Sequence, residues 1–343
     1  MAPVYEAHGG VPYLVSGWER KTPKLISVGE GVSRFVAFDS SEQFYLINLA
    51  KLRQDVFWRQ RFDLYISNVR NSTDPRARPV HFERLLFNII RRSRYSAPAI
   101  EKEDRERFKA ATFEELKRRG NDCGSRPDLA ACILNVAFME TELGKANPLS
   151  VSDALDNSGL AFGPRQLDLG QGRNDARKFA ADYLIDKTDA EEADWSNRFL
   201  RPIEAMRLRD LRIMYSDVTR RFNDRLGIHG DRVIEVYATG LLEMANADYK
   251  LATIRFSGKA ELLARLLAAD FSNKWGEAAV VRIVAFLRAR EQPYGECALL
   301  GTWREGVEKY FRPDDVKDFK RRATIVKTWF AKAVGADLSS CGL

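Results

Sequence analysis

Residues 127–139 read PDLAACILNVAFM and run directly into ETELGK (140–145). Between 129 and 139 only Asn135 is polar. A helix that is apolar on every side is a buried helix, so this stretch predicts a core element and anchors an α-rich reading of the chain. Ser125, Pro127 and Asp128 supply a helix start: a capping hydroxyl, a proline suited to the first turn, and an acid near the positive end of the dipole. The other end delivers two carboxylates, Glu140 and Glu142. Glu140 is expected where the core helix meets a cleft or the surface. Apolar surroundings and the negative end of a helix both disfavour a charged carboxylate, and a carboxylic acid that keeps its proton can act as a general acid.

A loop punctuated by Gly144, Pro148, Gly159, Gly163, Gly170 and Gly172 follows. Within it DNSGLAFGPRQLD (156–168) carries Asp156 and Asp168 at its two ends. Asn157, Phe162 and Gln166 are the amide and aromatic types that bind sugar hydroxyls and stack on sugar rings. Acids at the edge of a hydrophobic wall, with further acids on an adjoining loop, are the groups that glycosidic bond cleavage requires.

Further along, helices are expected at 174–185, 202–226, 231–249, 259–270, 276–290 and 314–334. Toward the N-terminus the pattern changes. LISVG (25–29), RFVAF (34–38) and FYLINL (44–49) are short β-branched and aromatic runs, separated by GEG (29–31) and DSSE (39–42). Leu52, Val56, Phe57, Phe62 and Tyr65 then share a helical face, and FERLLFNIIRRSR (82–94) reads as an amphipathic helix. SAPAIEKEDRER (96–107) is the best linker candidate. The expected fold is therefore predominantly α (α+β), with an N-terminal mixed α/β accessory region over 1–100 and a helical domain over 101–343.

The chain has 343 residues, 45% of them hydrophobic, enough to bury a sizeable core. Its formal net charge of +7 favours anionic partners without choosing among nucleic acid, membrane and bacterial wall polymer. Cys123, Cys132, Cys297 and Cys341 form no CxxC pair and no dense framework, so neither a zinc ribbon nor a disulfide scaffold is indicated. A reducing compartment during folding is the simplest expectation, with one bridge left open. MAPVYEAHGGVPYLVSGWERK has no Sec-type pattern and no apolar run approaches membrane-spanning length, so another agent is expected to deliver the protein to any target outside the cytoplasm. His8, His81 and His229 are scattered, and no GxSxG or GxxxxGKS/T pattern is present, so no metal or organic cofactor is expected.

ETELGK (140–145) followed by D.SG.AFGPRQLD (156–168) resembles the goose-type lysozymes and the related lytic transglycosylases. Those proteins carry Glu-Ser at the end of a buried helix, and a later loop reading Gly-Phe-Gly-Leu-Met-Gln, a hydrophobic residue and Asp. Thr141 stands where the family has Ser, and Pro164-Arg165 replaces the apolar pair. The resemblance covers residues 127–168, with a weaker echo in VIEVYATG (233–240). There Tyr237 and Gly240 fit a Tyr-Asn-x-Gly helix, and Ala238 replaces Asn.

The resemblance implies a lysozyme-like domain that cuts the bond between N-acetylmuramic acid and N-acetylglucosamine. Glu140 would be the general acid, with Glu142 as its substitute if the frame is shifted. Asp168, with Asp156 or Asp153, would hold and activate water. Phe162, Gly163, Gln166, Asn157 and Tyr237 would line the sugar cleft. Arg165 would either keep Asp168 ionised or bind an acidic substituent of the glycan. Inverting hydrolysis would need carboxyl groups roughly 6.5–9.5 Å apart. If neither acid reaches, the muramyl 6-hydroxyl attacks instead, as in a lytic transglycosylase. Such an enzyme would be made in the cytoplasm and act on the wall or periplasm after phage lysis or secretion-system delivery. An immunity or inhibitor protein is a further candidate partner. A third substrate class is chitin or chitosan. The rival is a helical nucleic-acid-binding protein using RRSRYSAP (91–98), KRRG (117–120) and KRR (320–322).

Overall fold

The computed structural model describes the backbone of five strands before residue 50, together with residues 101–123, 129–140, 147–153, 160–169, 174–200 and 217–342. Of this region 72% is helical, in ten helices, which sets the fold as predominantly α. The expected helices near 52–65 and 82–94, and the helix start at Ser125, Pro127 and Asp128, lie outside the described residues. Two compact units are present. The first comprises Met1–Ala97, Ser150–Phe162 and Leu167–Ile228; the second comprises Pro98–Leu149, Gly163–Gln166 and His229–Leu343.

In the first unit, β1 (Tyr5–His8) and β2 (Val11–Leu14) form an antiparallel hairpin. Next, β3 (Lys24–Val28), β4 (Ser33–Ser40) and β5 (Gln43–Asn48) form an antiparallel meander in that order. These are the β-branched and aromatic runs of the sequence, broken at the expected turns. A third small sheet was not anticipated. The glycine-punctuated loop contains β6 (Ser152–Asp153), β7 (Leu160–Phe162) and β8 (Leu167–Asp168), paired antiparallel in chain order. Among the described residues of the unit, three helical elements follow: α3 (Asn174–Phe179) continuing into a π turn (Ala180–Leu184), α4 (Ala190–Phe199) and α5 (Asp217–Ile228); the part of the expected 202–226 helix before 217 lies outside the described residues. Trp195, Phe199 and Phe222 form an aromatic cluster joining α4 and α5, and Trp195 Nε1 donates to Thr219 Oγ1 at 3.0 Å. Glu192 is buried beneath it. Burial works to raise its pKa, but hydrogen bonds from Arg225, the Asp186 N–H and Arg221 prevail and hold it below the usual range.

The second unit is built around the apolar stretch. Helix α2 (Leu129–Glu140) buries every residue from Ala130 to Met139. It is flanked by α1 (Lys102–Arg118), α6 (Gly230–Asn246), α7 (Ala260–Trp275) and α10 (Pro313–Val334). Helix α8 (Glu277–Arg288) packs on α7, and α9 (Glu296–Tyr310) packs on α7, α8 and α10. From Lys102 onward helix α1 replaces the linker expected at 96–107, whose residues 96–100 lie outside the described residues. It is charge-rich, yet Phe108, Thr112, Glu115 and Leu116 form a narrow buried stripe at helical spacing, and Glu103 and Asp104 sit in the first turn. Helices α4 and α9 were also unanticipated.

The cysteine expectation is overturned. Cys123 pairs with Cys132, Cys297 pairs with Cys341, and no cysteine is free. The paired Cα atoms lie 5.7 and 4.9 Å apart, within bridging range. Nine and 44 residues separate the partners, so each bridge closes a loop that no local motif announces. Among the described residues no helix is long and apolar enough to cross a membrane.

Candidate functional site

Glu140 is the last residue of α2, and after Leu129 it is the first along the helix that is not buried. The ten residues before it are enclosed by four neighbouring helices, so the backbone that presents this carboxyl is held on all sides. No hydrogen bond or ion pair joins the Glu140 carboxyl to another described residue. Glu142 lies in 141–146, outside the described residues.

The same unit contains the turn Gly163–Gln166. It follows β7 and precedes β8. Gly163 has φ 74° and Gln166 has φ 54°; the first conformation suits glycine, the second is unusual for any other residue. Gln166 N–H donates to Gly163 O at 3.0 Å, its side-chain Nε2 donates to the same oxygen at 3.3 Å, and Gly163 N–H donates to Pro148 O at 3.1 Å.

Arg165 is 6% exposed. Its guanidinium lies across Gly240, on the face of α6 that also carries the buried Tyr237 one turn earlier. The Tyr237 ring meets Phe108 of α1 at 5.8 Å between centroids. Burial raises the Tyr237 phenol far above its ordinary range, and the nearby Arg165 charge works against that rise. Tyr237 Oη has no hydrogen-bond partner among the described residues. In the sequence Tyr237 and Gly240 were grouped only by their resemblance to a Tyr-Asn-x-Gly helix. It carried no sign that Gly240 is the seat of Arg165.

In the first unit Phe162 is fully buried and stacks on Phe179 with centroids 5.7 Å apart. Asp168, at the end of β8, is partly exposed. Asp156 and Asn157 lie outside the described residues; Asp153 is described as a strand residue without its side chain.

The candidate residues thus fall into two groups. Glu140, Gln166 and Asp168 are partly exposed. Phe162, Gly163, Arg165 and Tyr237 are enclosed. Arg165 in particular is packed against a helix and is not an open receptor for an acidic substituent. Among the described residues no group of His, Cys, Asp and Glu could hold a metal ion. A recess lined by Ala247, Asp248, Tyr249, Lys250, Glu277, Val280 and Val281 contains none of the candidate residues.

The basic clusters also resolve into specific contacts. Arg322 is 1% exposed and pairs with Asp270 through two hydrogen bonds of 3.1 and 2.6 Å. Lys320 pairs with Glu308, and Arg321 with Asp318. Arg118 and Arg119 both pair with Glu115. The cluster at 91–98 lies outside the described residues. No protein family, curated protein or solved structure matches the chain.

Proposed function

We propose that this chain is a peptidoglycan-cleaving glycosidase of lysozyme-like fold, with Glu140 as its general acid. One observation carries the proposal: the only non-buried residue in the stretch from Ala130 to Glu140 is a carboxylic acid at the helix end, and no described residue neutralises it. A purely structural acid at a helix end is usually solvated or paired with a cation. The helix that carries Glu140 is enclosed by four neighbours, which holds the acid in place as a reacting group requires.

In this mechanism Glu140 protonates the glycosidic oxygen as the bond to the muramyl C1 breaks. Water attacks C1 and gives its proton to a carboxylate base, the role that the lysozyme resemblance assigns to Asp168 with Asp156 or Asp153. The Gln166 amide binds a sugar hydroxyl or acetamido group, and Phe162 and Tyr237 support the elements that carry these residues. Two disulfides favour action in an oxidising compartment, which suits a wall or periplasmic substrate reached by lysis or by a secretion system. The excess of basic residues suits an anionic wall. Residues 1–100 would serve delivery, wall binding or recognition by an immunity or inhibitor protein. Of the basic runs, Arg322 is buried against Asp270 and is not available to a phosphate backbone.

Digestion of purified peptidoglycan, with products read by mass spectrometry, tests the reaction class. Reducing muramyl ends are expected. Ends of the 1,6-anhydro type would mean that the 6-hydroxyl replaces water, and cleavage of chitin or chitosan alone would move the substrate to another polymer.

A further inference from the structure

Gly240 lies inside α6, where glycine is the least favoured residue after proline. A steric reason for it is visible. A β-carbon at 240 would fall on Nη1 of Arg165 and stand 2.8 Å from its Cζ. An arginine head group at the surface would simply swing away. This one is 6% exposed, and Gly240 is itself buried, so displacing the guanidinium would force a buried charge into another packed position. At the other end of the same side chain is the turn Gly163–Gln166, which closes on Gln166 in a left-handed conformation that non-glycine residues adopt only under constraint. All of these residues belong to the second unit.

We propose that Gly240 and Arg165 form a positioning lock. The glycine seats the guanidinium, the seated guanidinium anchors the turn, and the anchored turn holds the Gln166 amide ready for substrate. Both are positioning residues, acting through Gln166. Arg165 takes the place of an apolar residue in the lysozyme-like loop, so the lock belongs to this chain's own sequence. Its functional half rests on the glycosidase proposal; its structural half does not.

The test is a double-mutant cycle of Gly240→Ala and Arg165→Met on the full chain. In the wild-type background Gly240→Ala should lower Tm by about 3 °C or more. In the Arg165→Met background the same change should raise Tm, because only the helix preference for alanine remains. On solubilised peptidoglycan Gly240→Ala should raise KM by about 10-fold and leave kcat within about 3-fold, the signature of lost substrate binding. Gly240→Ala raising the wild-type Tm, or shifting Tm equally in both backgrounds, would overturn the lock. If Gly240→Ala fails to fold, recovery of a folded Gly240→Ala/Arg165→Met protein supports it and failure of that double variant overturns it. A sign reversal in Tm with no peptidoglycan cleavage by any variant, wild type included, would keep the lock and remove the glycosidase reading.

Discussion

Tyr237 shows how much a single side chain can constrain. Its hydroxyl is fully buried, and no described residue accepts or donates a hydrogen bond to it. Leaving a hydroxyl orphaned in the interior costs about 1–3 kcal/mol, so Tyr237→Phe should leave the unfolding free energy unchanged or raise it. Urea denaturation of the two proteins checks this; a loss of more than about 1 kcal/mol would reveal a partner for the hydroxyl. Residue by residue, the sequence was readable where a position depends on its own neighbours. Glu140 could be placed at a helix end because the run before it is long and apolar. Arg165 could not be placed, because its seat is Gly240 on a distant helix and nothing in the turn specifies a contact so far along the chain. Phe162 shows the same limit. An aromatic beside glycines suggests a sugar platform, but Phe179 encloses it, and that partner belongs to a helix further on.

At the scale of elements, α2 was legible because an all-apolar helix has one solution, and four helices surround it. Helix α1 was not, because its buried stripe is narrow and its surface is crowded with charge. The short strands β6, β7 and β8 were hidden for a different reason: two or three residues cannot establish a period. Helices α7 and α10 share the buried pair of Asp270 and Arg322, which the basic run KRR disguised as a surface cluster. Removing one member strands the other charge in the interior. Arg322→Met alone should therefore cost about 3–5 kcal/mol, whereas Arg322→Met with Asp270→Leu should recover most of that loss. Guanidinium denaturation of the single and double variants checks this, and equal losses in both would contradict it.

At the scale of the whole molecule, the disulfides change where the protein is expected to be stable. A reducing environment looked adequate from the cysteine spacing, but both bridges close loops whose partners meet only in three dimensions. In the chain-entropy picture the bridge across nine residues contributes about 3 kcal/mol and the bridge across 44 residues about 4 kcal/mol. Dithiothreitol should thus lower Tm markedly, and Cys297→Ser with Cys341→Ser should lower it more than the corresponding change at Cys123 and Cys132. Scanning calorimetry with and without reductant measures both; an unchanged Tm on reduction would remove the argument for an oxidising destination.

The most direct test of the central claim is the loss of turbidity of purified peptidoglycan with wild type and Glu140→Gln, each shown to be folded by circular dichroism. Wild type should clear the suspension, and Glu140→Gln should do so at a rate at least about 100-fold lower at unchanged Tm. Equal clearing by both proteins, or none by a folded wild type, would contradict it.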